Sequence, residues 1–67
     1  MESVYDVRQL LKRFGIFIYL GERAADLSLM ELELQELYKI ECISTIEYQM
    51  AILIIRKEKT RLQNKEE

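Results

Sequence analysis

The run Ser44-Thr45-Ile46-Glu47-Tyr48-Gln49-Met50-Ala51-Ile52-Leu53-Ile54-Ile55 decides the fold class. Ser44 and Glu47 stand three apart ahead of an apolar stretch. At this capping-box spacing, hydroxyl and carboxylate each satisfy an orphan amide at a helix start. Ile43 and Tyr48 are the matching apolar staple across that start. The helix that follows, predicted over residues 45–63, is apolar on two sides. Ile46, Met50, Leu53 and Ile54 lie on one; Tyr48, Ala51, Ile52, Ile55 and Leu62 lie on the other. A helix apolar almost all round is buried on more than one side. Either it is the central helix of a bundle, or a second face carrying Tyr48, Ile52 and Ile55 meets another subunit as a homodimer. Beyond Ile55 the pattern fades into charged residues, and Asn64–Glu67 is expected to fray.

Two more helices lie upstream. Leu27, Met30, Leu34, Leu37 and Tyr38 recur at helical spacing and predict a helix over residues 23–40. It has two candidate starts: a capping box at Ser28 and Glu31, or an earlier one near Glu22–Arg23. Residues 30–35 also alternate like a strand. However, Leu, Met, Glu and Gln favour helix, and no β-branched residue occurs between Leu29 and Lys39. The first helix, over residues 4–14, shows a stripe of Val4, Val7, Leu10, Leu11 and Phe14. Ser3 and Asp6 cap its start, and Gly15 is placed to end it in a left-handed turn. Ile16–Leu20 is a short apolar connector with no strand partner, so it is expected to lie irregularly across the core. The expectation is an all-α chain, one compact three-helix bundle over residues 1–67.

Composition narrows the function. With 67 residues and a single cysteine, Cys42, internal disulfides are excluded. The chain has no histidine, so Cys42 lacks the usual base for nucleophilic catalysis and zinc lacks its usual ligands. Glu33 and Glu36 read as a solvated face rather than a metal site. Gly15 and Gly21 are isolated and make no phosphate loop. A non-enzymatic binding role is therefore expected, with no catalytic residue, cofactor, metal or small-molecule substrate. No apolar run approaches the ~20 residues that cross a bilayer. With a lone thiol and no visible signal peptide, the expectation is a cytoplasmic protein that does not bind membranes.

The net charge is −2, yet the charges are unevenly spread. Residues 24–48 hold six acids against Lys39 alone, which leaves the first and third helices mildly basic. On the first helix Tyr5, Arg8 and Lys12 fall on one strip, and Tyr19 and Arg23 near the connector could extend it. Cations beside aromatic rings suit single-stranded nucleic acid, because cations track phosphates and rings stack bases. The plainer alternative stays open: cations opposite a core stripe solubilise, and tyrosines cover small cores.

Several segments carry a likeness along nearly the whole chain. They are Tyr5-Asp6-Val7, Leu10-Leu11-Lys12, Phe14-Gly15 and Ile18-Tyr19, then Gly21, Arg23 and Asp26. Leu29-Met30-Glu31, Glu36-Leu37-Tyr38 and Ala51-Ile52-Leu53-Ile54 continue it. In these the sequence resembles the YqgQ-like family of short bacterial proteins. The resemblance implies a three-helix bundle and a role in binding single-stranded RNA or DNA. Tyr19, Arg23 and Asp26 are the matched polar positions that packing explains least, although Arg23 and Asp26, three apart, could simply pair on a helix. Because the net charge is negative, affinity is expected to be micromolar or weaker and to fall with salt. Glu36–Ile55 alone resembles the helical hairpin of short oligomerisation modules, with Glu41-Cys42 where such turns often carry glycine.

Overall fold

The computed structural model describes residues 1–65, and of Lys65 the backbone only. Its elements are α1 (Val4–Lys12), α2 (Arg23–Lys39) and α3 (Thr45–Lys65). No strand occurs among the described residues, and the three helices pack as an all-α bundle in which α2 and α3 form the most extensive pairing. The helix continues through Asn64 and Lys65; the remainder of the stretch expected to fray lies outside the described residues.

At the start of α1 the Asp6 carboxylate accepts the amides of Glu2 at 2.8 Å and Ser3 at 3.1 Å. Val4, Val7, Leu10 and Leu11 form the buried stripe. Phe14, expected on that stripe, lies at its edge and is 38% exposed. The reason is local. The chain tightens after Lys12 into three-residue bonds, Phe14 N–H to Leu11 C=O and Gly15 N–H to Lys12 C=O. Ile16 N–H then closes back on Leu11 C=O over Gly15, whose φ is 76°. Such a turn satisfies the last carbonyls and rotates Phe14 to the edge of the stripe.

Helix α2 uses the earlier of its two starts. The Glu22 carboxylate accepts the Ala25 amide at 2.6 Å, so Ser28 falls inside the helix and stays exposed. Leu27, Met30, Leu34 and Leu37 are buried, while Tyr38 sits at the rim. The helix ends in a left-handed turn although no glycine is present. Cys42 N–H donates to Leu37 C=O at 2.8 Å, and Glu41 takes a φ of 62°.

The start of α3 forms as its spacing predicts: Ser44 N–H donates to Glu47 Oε1 at 3.0 Å, and Glu47 N–H to Ser44 Oγ at 3.1 Å. The assignment of its two faces is corrected. Ile52 and Ile55, expected on a face meeting another subunit, are core residues, and Tyr48 is half-buried against them. The turn fixes this rotation. Ile43 is buried just ahead of the cap, and its staple partner Tyr48 stacks on Tyr38 of α2 with ring centroids 4.3 Å apart. That turns the Tyr48–Ile55 side inward. Ile46 and Leu53 are left 69% and 68% exposed on the opposite side, with Met50 between them.

The uneven charges of the sequence resolve into pairs between helices. Glu31 of α2 meets Lys59 at 3.1 Å and Arg56 at 3.8 Å on α3. Arg23 of α2 reaches Glu58 of α3 at 2.9 Å, and Arg13 after α1 reaches Glu47 at 3.5 Å. Only the Arg13–Glu47 pair is open to solvent on both sides; in the others the Glu31 or Glu58 carboxylate is mostly covered while its cation is more exposed.

Candidate nucleic-acid interface

The connector alternates as far as Tyr19. Ile18 is buried and Ile16 half-buried, while Phe17, Tyr19 and Leu20 are exposed. Two charged side chains hold it in place. Arg8 of α1 donates through Nη1 to the Ile18 carbonyl and through Nη2 to Asp26 Oδ2 of α2, the latter at 3.1 Å. Asp26 Oδ1 in turn accepts the Leu20 amide at 2.8 Å. The Arg8 and Asp26 side chains are only 14% and 9% exposed, so this pair is a structural clamp rather than a surface ion pair. The Asp26 carboxyl is held below the usual aspartate range. The Leu20 amide is the largest cause; burial opposes it, and the Arg8 hydrogen bond and charge reinforce it.

The clamp sets the position of Tyr19. Its ring centroid lies 4.8 Å from Arg8 Cζ and 5.7 Å from Lys12 Nζ, within cation–π range of both. Tyr19 as a residue is nevertheless 64% exposed, so it rests on two cations while keeping open surface. Tyr5 stands one turn before Arg8 on α1 and is also largely exposed. Arg8, Lys12 and Tyr19 are thus brought together, with Tyr5 on the same strip.

Arg23 is not part of this group. Its guanidinium is drawn to α3 by Glu58, and its expected partner Asp26 is taken by Arg8. The i, i+3 spacing on α2 therefore does not produce a pair. Glu58, holding both Arg23 and Arg61, has its carboxyl pushed down from 4.5 to about 2; the Arg61 hydrogen bond is the largest cause and that of Arg23 the next. Lys12 and Lys57 form no ion pair with another described residue. Of the two, Lys12 lies beside an exposed aromatic ring.

Reading the residues in sequence left two features unseen. One is the clamping role of Asp26, because no local pattern tells an aspartate near a helix start that its partner lies 18 residues away. The other is the exposure of Phe17 and Leu20. A signal for it existed: a five-residue apolar run between two glycines cannot bury every side chain of an extended chain.

The family model described as YqgQ-like matches residues 1–61. A protein of Bacillus subtilis (strain 168), named "Uncharacterized protein YqgQ", is 39% identical over 64 residues. That similarity covers 96% of this chain and 90% of the relative.

Proposed function

The chain belongs to the YqgQ-like family, and on that premise we propose that it is a small, non-enzymatic, cytoplasmic module that binds single-stranded RNA or DNA. One observation carries the reading: an exposed tyrosine ring, Tyr19, rests on Arg8 and Lys12 and is fixed there by a buried clamp. A ring seated on cations is preorganised for stacking a base, since its rotamer freedom is already spent in the free protein. Tyr5 supplies a second exposed ring on the same strip, and Lys12 a cation for a neighbouring phosphate. Arg8 works mainly by holding the platform. Arg23, engaged with Glu58, contributes little.

Magnitudes follow from the free charge. With Lys12 as the one cation offered to a phosphate, the slope of log affinity against log salt for a single strand is about −0.7. Raising salt fourfold then weakens binding about 2.6-fold, a shallower dependence than a fully basic strip would give. Fluorescence anisotropy with labelled ten-nucleotide strands at the two salt concentrations tests this. Tyr19→Ala should weaken binding about tenfold or more, the loss of one stacked base. Lys12→Glu should lower affinity and flatten the salt slope, while Arg23→Gln changes neither. Absence of binding at low salt, or binding indifferent to both Tyr19→Ala and Lys12→Glu, would remove the proposal.

A protein-interaction role is the second reading, and the exposed stripe Ile46, Met50 and Leu53 on α3 favours it. It displaces the first reading if Leu53→Glu abolishes a cellular contact that Tyr19→Ala leaves intact.

A further inference from the structure

We propose that two copies of this chain associate through their connectors, pairing Ile16–Leu20 of each as short antiparallel strands about a twofold axis at Ile18. The inference does not rest on nucleic-acid binding, and the pairing competes with a stacked base for Tyr19. It starts from the backbone of the connector. Ile18 C=O and Leu20 N–H are held inward by Arg8 and Asp26, and Ile16 N–H by Leu11 C=O. In an extended chain, the polar groups of successive residues point to opposite edges. The amides and carbonyls of Phe17 and Tyr19 hydrogen-bond to no described residue, and both residues are about two-thirds exposed. Phe17 and Tyr19 therefore present an unpaired backbone edge, tethered from behind. Such an edge is a template for pairing with another chain.

A second copy of the same connector fits this edge in two respects. With Ile18 on the axis, Phe17 lies opposite Tyr19 of the second copy, and each such pair exchanges two N–H···O=C bonds. The same register places an aromatic against an aromatic twice, a favourable cross-strand combination. Charge does not oppose it: the connector is preceded by Lys12 and Arg13 and followed by Glu22 and Arg23, of which Arg13 is engaged by Glu47, Arg23 by Glu58, and Glu22 by the cap of α2. Within residues 15–21 there is no charge to repel the approach. Two short strands make a small contact, so the association is weak, with a dissociation constant on the order of 100 µM.

Sedimentation equilibrium on nucleic-acid-free protein up to about 1 mM, together with amide exchange by NMR, tests this. The wild type should dimerise, with the Phe17 and Tyr19 amides slowing as concentration rises. Phe17→Pro removes a donor that the monomer fold does not use, so its helical spectrum should persist. Losing one bond per copy weakens the dimer about 30-fold. Should Phe17→Pro lose its helical spectrum, Phe17→Lys carries the same test by setting a cation on the edge of each copy. Leu53→Glu, on the outer stripe of α3, should leave association unchanged. A wild type monomeric at about 1 mM overturns the proposal. So does a dimer indifferent to the Phe17 variants, or one abolished by Leu53→Glu.

Discussion

Leu53→Ala and Ile55→Ala, two residues apart on α3, should behave in opposite ways. Ile55 has no exposed surface, whereas Leu53 is 68% exposed. Truncating a fully buried isoleucine costs about 2–5 kcal/mol, from lost transfer energy and the cavity left behind. The better helix propensity of alanine returns about 0.4 kcal/mol, so a net loss of about 3 kcal/mol is expected. A 67-residue chain has a total stability of roughly 3–10 kcal/mol, so the loss is a large share of it. Leu53→Ala should change stability by no more than about 0.5 kcal/mol. Urea denaturation followed by far-UV circular dichroism separates the two. With a slope near 1 kcal/mol/M, Ile55→Ala moves the midpoint down by about 3 M or leaves the chain unfolded in buffer. Equal losses in the two variants, or an Ile55→Ala within about 1 kcal/mol of wild type, would refute the assignment of the faces of α3.

Two further outcomes are expected. Glu41 sits at a φ of 62°, where an L side chain costs about 1 kcal/mol, so Glu41→Gly should raise the urea midpoint by relieving the turn between α2 and α3. Stability should be flat above about pH 5 and fall as the solution is acidified. Asp6, Asp26, Glu47 and Glu58 all have lowered pKa values, so the unfolded chain binds more protons and the folded state loses ground as pH drops. For Glu58 the loss spans the interval from 4.5 to about 2, and Glu58→Gln should flatten the acid limb of the denaturation profile there.

Short-range chemistry made much of the fold legible. Ser44 with Glu47, Ser3 with Asp6, and Gly15 are signals confined to a few residues, and each forms the cap its spacing predicts. The choice between Glu22 and Ser28 as the start of α2 stayed open, because both are sound caps locally and only packing of the connector selects the first. Likewise α3 carries two apolar faces of similar weight. Periodicity cannot rank them; the buried Ile43 and the Tyr38–Tyr48 stack do. Of the candidate site, the strip of Tyr5, Arg8 and Lys12 followed from helical spacing. That Tyr19 folds onto it, and that Arg23 turns away to Glu58, depends on contacts between residues far apart in sequence. Helical pitch along one segment does not encode them.

The proposed function stands or falls on whether the Tyr19 platform receives a stacked base. Titrating isotope-labelled protein with a short unlabelled single strand at low salt, and following amide and aromatic shifts by NMR, tests it most directly. The expected shifts cluster at Tyr5, Lys12, Tyr19 and the connector, with the Tyr19 ring protons moving upfield as a base covers them. Shifts confined to the acidic face of α2, or a spectrum unmoved at saturating strand, would contradict it.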